Sequence, residues 1–503
     1  MNKQQRLVLV VSILASFVAF LDGAIVNVAL PAIQRDLGGG LASQQWIVDA
    51  YLLTLGSLIL IAGSLSDLLG RKKILAFGLT GFAVASLICA LAPNSGLLIA
   101  ARALQGIAGA LLVPSSLALI IDTFSGAAQG KAIGSWTAWT GISFIIGPLL
   151  GGFLVDSASW RWIFAINLLP IAVTLYLLKG VKTGGAKPSG TTVDITGALL
   201  CALGLAGSVF ALIEQPHYGW GSPLIYLPLV TGLLLLVGFL AYEKRVEHPM
   251  LPLSLFRNHN FSVGNVATLS VYAGLTASTF LLVVFLQQVA GYSALSAGLS
   301  LLPVTIIMFL VSPRAGALAG KYGPRLFMGF GPLIASIGFL MMLHMQGDIK
   351  YWTGLFPAIV IFGLGLSLTV APLTAAILGD VPTAQAGIAS AVNNAVARVA
   401  GLVAVAAIGA VVAAQFSSNL DRFSRVWQLD PVAISMANQA PLVITPPKPY
   451  QNTKIYRLGL EEASVSAFHS GIVTIAGLLV VGGAVSLIGI KNPDRSKLSS
   501  PSS

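Results

Sequence analysis

Long apolar stretches alternate along the chain with short polar connections, and the apolar stretches recur at one length. Crossing a hydrocarbon layer of about 30 Å takes roughly 20 residues of helix, and the pattern supplies such a run about fourteen times. The expected spans are Leu7 to Leu30, Gln45 to Leu65, Ile74 to Ala92, Leu97 to Ile121, Ala132 to Val155, Trp162 to Leu178 and Ile195 to Ile213. They continue as Leu224 to Tyr242, Phe261 to Phe285, Ala297 to Ala319, Leu326 to Met345, Thr353 to Leu373, Gln385 to Ala414 and Phe468 to Ile490. The pattern predicts an all-α polytopic membrane protein. An even number of spans puts both termini on one side.

Composition agrees. Of 503 residues, 56% are hydrophobic and 9% charged, with a mean hydropathy of +0.88, more apolar content than a water-exposed surface tolerates. Lys3 and Arg6 ahead of an apolar run imitate a secretory signal. That run is too long, however, and carries Asp22 instead of a small-residue cleavage site, so it reads as a retained first helix.

Charge assigns the sides. With the N-terminus in the cytoplasm, the loops on that side collect Lys3, Arg6, Arg71, Lys72, Lys73, Lys131, Lys179, Lys182 and Lys187. The same side takes Lys244, Arg245, Arg257, Arg314, Lys321, Arg325, Lys491, Arg495 and Lys497. The short opposite loops hold Arg35, Arg161 and Lys350. This is the positive-inside pattern, so the net charge of +11 reports topology in the cell membrane and does not call for nucleic acid.

The expected organisation is an N-terminal six-helix half over 1–180, a linker with two inserted transmembrane helices over 181–250, and a C-terminal six-helix half over 251–503. The last unit carries a long extracellular loop at 415–467 with a Pro-Pro-Lys-Pro run at Pro446 to Pro449. An internal repeat supports the two halves. Gly63-Ser-Leu-Ser-Asp67-Leu-Leu-Gly70-Arg71 ends the second span, and Gly316-Ala-Leu-Ala-Gly320-Lys321-Tyr-Gly323-Pro324-Arg325 ends the tenth.

Several charges lie inside the spans, where an ionisable group is costly and marks an ion or substrate pathway. At 1.5 Å rise per residue, Asp22 lies about 12 Å and Arg102 about 9 Å below the same face of the bilayer. A guanidinium keeps its charge and needs an acceptor in hydrocarbon, which makes Asp22 its natural partner. Asp49 lies about 6 Å inside the second span, between Trp46 and Tyr51. Arg398 stands deep in the thirteenth span, after Asn393 and Asn394, with no acid at its depth in the same half. At the second-to-third turn, Asp67, Gly70 and Arg71 are placed to latch two helix ends together in one conformation. Gly147, Pro148, Gly151 and Gly152 in the fifth span allow close helix contact and interrupt the helical ladder.

These segments resemble a known family in chain order. Gly63 to Leu75 (GSLSDLLGRKKIL) resembles the loop signature of the major facilitator superfamily. LDGAIVNVALP at Leu21 to Pro31, WIVDAY at Trp46 to Tyr51, RALQG at Arg102 to Gly106, GPLLGG at Gly147 to Gly152 and WRWIFAINLLP at Trp160 to Pro170 resemble its fourteen-span drug:proton antiporter branch. The resemblance implies the major facilitator fold, with two six-helix halves and two inserted helices. It also implies that the GPLLGG segment is the antiporter motif, associated with export.

Absences narrow the chemistry. No G-x-x-x-x-G-K-[ST] segment occurs, which argues against direct use of ATP. Five histidines show no paired metal-ligand spacing, and Cys89 and Cys201 stand alone in apolar spans, so no metal, no cofactor and no enzymatic constellation is expected. The expectation is a proton-driven secondary exporter of amphipathic, cationic or lipophilic compounds working by alternating access. Asp22 and Arg102 would couple the proton, and Asp22, Asp49, Tyr51 and Arg398 would meet substrate. The expected partners are a small-molecule substrate, protons and the lipid bilayer, for a monomer that an adaptor protein could join. A dedicated exporter of a lipid, siderophore or other metabolite is the alternative within transport. A non-transporting scaffold or channel is the alternative from another class.

Overall fold

The structure, a computed structural model, describes residues 1–182, 193–379, 381, 386–448, 450 and 453–492. Its regular elements are helices. The first group comprises α1 (Lys3–Leu37), α2 (Leu41–Leu69), α3 (Arg71–Leu91), α4 (Ser95–Thr123), α5 (Gly126–Ser157), α6 (Trp162–Ala165) and α7 (Leu168–Lys179). Next come α8 (Ile195–Tyr218) and α9 (Pro223–Glu243). The last group is α10 (His259–Gln288), α11 (Ala294–Tyr322), α12 (Arg325–Met341), α13 (Phe356–Gly379), α14 (Ala386–Trp427), the short α15 (Pro431–Asn438) and α16 (Lys454–Gly489). Among the described residues, 14 helical segments are long and apolar enough to cross a membrane, α6 and α7 counting together as one.

Local chemistry sets many of the ends. Asn2 accepts from the Gln5 N–H at 2.8 Å while the Gln5 side chain accepts from the Asn2 N–H at 3.0 Å, a capping box that starts α1. Asn94 caps α4 through the Leu97 N–H at 2.8 Å. The repeated turns close alike: Gly70 at φ 97° and Gly323 at φ 91° occupy the left-handed region that only glycine enters freely. The sequence repeat is thus also a repeat of backbone geometry.

Several helices overrun the expected spans. α1 has 35 residues and α14 has 42, so at about 1.5 Å per residue both exceed a 30 Å hydrocarbon layer. The stretch expected as a loop over 415–467 is therefore helical at both ends. Hydropathy marks where lipid stops, whereas the helix continues as long as its apolar side is covered. Phe416 and Leu420 of α14 are buried beyond that limit, as is Leu460 of α16, and Asn419 donates to Ser466 at 2.6 Å between the two helices. Asp430 caps α15 through the Val432 N–H at 2.9 Å, and the Tyr450 hydroxyl beside it holds its carboxyl below the usual carboxylate range.

Within the first group α2 packs on α4, α3 on α4 and α1 on α5. In the last, α12 packs on α13 and α16, and α10 on α14 and α16. α8 lies against α9, α2 and α14. The outer face of α9 leaves Leu227, Leu234 and Val237 uncovered, as a helix turned to lipid does.

The two groups meet through α2–α14, α5–α11 and α1–α10. On the side away from the termini this seam is closed by polar contacts. Asp156 of α5 accepts from the Ala294 and Leu295 N–H groups at the start of α11, at 3.2 and 2.9 Å. Gln45 donates to the Val405 carbonyl at 2.8 Å, Gln287 donates to the Val28 carbonyl at 2.8 Å, and Gln34 accepts from Gln44 and Gln288. Towards the termini α5 presents open space instead, since a Cβ built on Gly130, Gly134 or Gly141 meets nothing within 4 Å. The seam is a wedge, shut at one face and parted at the other.

Candidate functional site

Asp22 and Arg102 meet, as their depths require. Arg102 Nη1 lies 2.5 Å from Asp22 Oδ2, with Asp22 0% and Arg102 1% exposed. The helices are pressed together for this contact by small residues. A Cβ on Gly106 would sit 2.1 Å from Thr54 Oγ1 and 2.4 Å from the Tyr51 carbonyl, so glycine lets α4 lie directly on α2.

Polar neighbours surround the pair. Arg102 Nε donates to the Ile47 carbonyl at 3.0 Å and Nη1 also to Gln105 Oε1 at 2.6 Å. Asp22 Oδ1 accepts from Gln105 Nε2 at 2.8 Å and from Asn167 Nδ2 at 2.9 Å. Gln105 and Asn167 both reach Ser86 Oγ, at 2.9 and 3.4 Å. Such a network repays a desolvation penalty of several kcal/mol per buried ion, which an isolated pair repays less well. One atom stays outside it: Asn167 Oδ1 is buried without a donor.

Tyr51 belongs to this cluster and lines no open surface. Its ring lies 4.3 Å from the Arg102 guanidinium carbon, its hydroxyl donates to the Ala19 carbonyl at 3.2 Å, and it is 1% exposed. Its contact is therefore with Arg102. Cys89, alone in its apolar span by sequence, approaches Gln105 Oε1 at 3.7 Å.

Asp49 stands apart. It is 0% exposed, and neither carboxylate oxygen has a partner. Gln45, Asp49, Leu52 and Gly56 form one stripe of α2 by helical spacing. Both ends of that stripe touch α14, Gln45 at Val405 and Gly56 at Arg398, so Asp49 lies in the seam between the two groups. Trp46 donates to Glu214 of α8 at 2.8 Å and tilts against Phe210 at 6.2 Å. It clips the extra helix pair to α2.

Arg398 faces the seam from the other side, its guanidinium 5.2 Å from the Phe20 ring of α1. No carboxylate among the described residues pairs with it. Nearby Asn393 donates to Thr268 at 2.8 Å and to Asn265 at 3.2 Å, and so serves to join α14 to α10.

At the second-to-third turn, Gly70 makes the tight bend, while the Asp67 side chain lies outside the described residues. Arg71 pairs with Asp122 at 2.9 Å and donates to the Ala118 carbonyl at 2.8 Å, which ties α3 to the end of α4. In α5, Gly147 and Gly151 are matched to α1: added Cβ atoms would sit 2.8 Å from Ala24 Cβ and 2.6 Å from Ile25 Cγ1. Gly152 and Pro148 are matched to α11, at Leu295 and Gly298. The helix runs unbroken through Pro148.

Sequence reasoning missed Gln105, Asn167 and Ser86 around Asp22, and Asp122 and Asp156 at the helix ends. Gln105 and Asn167 stand inside quoted motifs, and Gln105 is three residues from Arg102 on one helical face, so a signal was available for both. Ser86 offered none.

Among the described residues, fourteen membrane-length helical segments pack around buried charges with a seam closed at one end, an architecture that membrane transporters use. The chain belongs to the Major Facilitator Superfamily, whose model matches residues 12–405. It is 34% identical over 438 residues to the multidrug resistance protein Stp of Mycobacterium tuberculosis, covering 86% of this chain and 80% of that protein. It is 35% identical over 412 residues to the puromycin resistance protein pur8 of Streptomyces alboniger, covering 80% of this chain and 81% of that one. The fold is also that of a bacterial homolog of the human lysosomal transporter Spinster, solved inward-facing and unoccupied. The TM-score is 0.67 at 16% identity, over 98% of this chain and 100% of that one.

Proposed function

We propose that the protein is a proton-coupled exporter of amphipathic, cationic or lipophilic compounds across the cell membrane, with both termini in the cytoplasm. The observation that carries this is the fully buried Asp22–Arg102 pair, because a transporter without an ATP site needs an internal group whose charge an ion gradient can change. The wedge-shaped seam supports alternating access between an N-terminal six-helix half over 1–180 and a C-terminal one over 251–503, with α8 and α9 inserted between them. The names of the relatives support drug or antibiotic compounds as substrates.

In this reading the open face is cytoplasmic, where substrate enters between α5 and α11. Arg398 and Phe20 face it across the seam, and Asp49 meets it only when α2 and α14 part at the other face. Asp22, closed off and paired with Arg102 in this state, is the group that takes up and releases the proton over the cycle. Outward opening brings the proton to Asp22 and loosens its hold on Arg102, and inward opening returns it to the cytoplasm as the pair reforms.

The test is the full chain in proteoliposomes with an imposed pH gradient and a panel of cationic and neutral dyes. Asp22→Asn is expected to lower gradient-driven export below about a tenth of wild type, an effect of roughly 1.4 kcal/mol or more on the rate. The variant is expected to fold at reduced stability, because the amide fits the same space and keeps an oxygen towards Arg102, which also retains the Ile47 and Gln105 carbonyls. Wild-type export by Asp22→Asn would remove the proton role. Gradient-driven movement of a lipid or siderophore but of no dye would favour a dedicated exporter.

A further inference from the structure

Asn167 links α6 to α7 with its backbone pinned: its N–H donates to the Phe164 carbonyl and its carbonyl accepts from Ile171, both at 3.2 Å. Only the side-chain amide is left to turn. Nδ2 donates to Asp22 Oδ1 at 2.9 Å, while Oδ1 of the same amide, fully buried, receives nothing. Native interiors rarely leave such an acceptor empty, and this one belongs to the same amide that donates to the acid the proposed cycle protonates.

The surroundings of Asp22 contain donors in excess. Ionised, it accepts from Arg102 Nη1 on Oδ2 and from Gln105 Nε2 and Asn167 Nδ2 on Oδ1. A proton bonded to Oδ1 makes that oxygen a donor facing two amide N–H groups. The neighbouring titratable groups offer it no acceptor. Arg102 of α4 has donors only, the Tyr51 hydroxyl of α2 is committed to the Ala19 carbonyl, and Cys89 of α3 is a weak partner already turned to Gln105. Arg398 of α14 lies beyond the Phe20 ring with Tyr272 of α10 in its field, and α5 contributes Gly147 and Gly151. Gln105 Oε1 is occupied by Arg102 and Ser86 Oγ by the Gln105 and Asn167 amides, which leaves Asn167 Oδ1.

Resting on the reading of Asp22 as the proton carrier, we infer that Asn167 is the positioning residue that serves both of its protonation states by turning its amide. With the carboxylate, Nδ2 donates to it. With the acid, a half-turn about Cβ–Cγ exchanges nitrogen and oxygen in the same volume, and Oδ1 accepts the new O–H. The proton forms its bond to Asp22 and leaves from it, and Asn167 neither gains nor loses one. The empty acceptor is therefore the half of the device that the ionised state does not use.

The experiment uses the full chain in vesicles with ethidium as the transported cation. Asn167→Leu keeps the volume but can neither donate nor accept. It is expected to cut gradient-driven export about tenfold and to move the pH of half-maximal rate acidward by about one unit, because the carboxylate keeps Arg102 and Gln105 while the acid loses its acceptor. Ethidium–ethidium counterflow without a gradient, which needs no change of protonation, stays within about twofold of wild type. Asn167→Gln retains an amide that can turn and keeps the wild-type half-maximal pH even where its extra methylene slows the rate. Equal loss of export and counterflow at an unmoved pH would mean a merely structural asparagine. If Asn167→Leu does not fold, infrared difference spectra of the wild type between acid and neutral pH decide, using asparagine labelled at its side-chain carbonyl. A band that shifts with pH in wild type and in Asn167→Gln alike would overturn the proposal, as would one that ignores pH, whereas a shift confined to wild type supports it. Normal export by Asp22→Asn would fell the carrier reading itself. An inactive Asp22→Asn beside an unaltered Asn167→Leu would fell only the role of Asn167.

Discussion

Arg102 shows how much one side chain settles. Its planar fork reaches the Asp22 carboxylate, the Gln105 carbonyl and the Ile47 backbone at once, with the Tyr51 ring against its face. Lysine matches the charge but not that fork. Arg102→Lys is therefore expected to lose most gradient-driven export while folding, and Arg102→Ala to lose about 3–5 kcal/mol of stability as well, since it strands a buried carboxylate. Thermal unfolding in detergent together with vesicle transport checks both. Because the two residues share one network, Asp22→Asn combined with Arg102→Ala should cost less than the sum of the single changes. Near-normal export by both arginine variants would leave Arg102 a bystander.

Between helices, glycine position sorts contact from clearance. At Gly106 an added methyl has no room between Thr54 and the Tyr51 carbonyl, whereas at Gly130 it meets open space. Gly106→Ala should lower the unfolding midpoint, at a cost of about 1–3 kcal/mol from overpacking, and should weaken transport by pushing Tyr51 off Arg102. Gly130→Ala should be neutral or stabilising by up to about 1 kcal/mol through helix propensity. The same melting curves on the two variants suffice, and equal shifts would contradict the packing seen between α2 and α4. The motif RALQG marked Gly106 in the sequence, but only the α2–α4 contact shows why a side chain is excluded there.

For the molecule as a whole the question is which face of the seam is shut. Asp156 closes one face by accepting from two N–H groups at the start of α11, where the helix dipole favours a negative charge. Asp156→Asn keeps the shape but loses the charge, which should weaken that closure by about 1 kcal/mol and shift the population roughly fivefold towards the state open on that face. A cysteine at Val28, beside the Gln287 contact, would report this by faster labelling with a membrane-impermeant reagent once Cys89 and Cys201 are replaced. Unchanged labelling would assign the closure to the glutamine contacts instead. On the opposite face Arg71 also pairs with Asp122, a residue outside the signature that the sequence marked.

Spans, the even topology, the repeated turn and the depth of Asp22 against Arg102 were readable from the chain, because each depends on local properties. Helices in lipid must close their own hydrogen bonds, run length follows bilayer thickness, and depth follows helical rise. The tertiary structure alone decided what lies beside what. Asn167 is 145 positions from Asp22 along the chain and Gln105 is 83, yet both bond the same oxygen. Tyr51 turned inward to Arg102 while Asp49, two residues away, turned to the α14 seam, since neighbours on a helix point about 100° apart and the packing of α2 between α4 and α14 chooses the directions. Helix ends past the lipid followed the same logic, extended by contacts such as Asn419 with Ser466 that no hydropathy window registers. Local physics decides which segments are helices and how deep each charge lies, whereas partners for buried charges come from distant segments and exist only once the helices have packed.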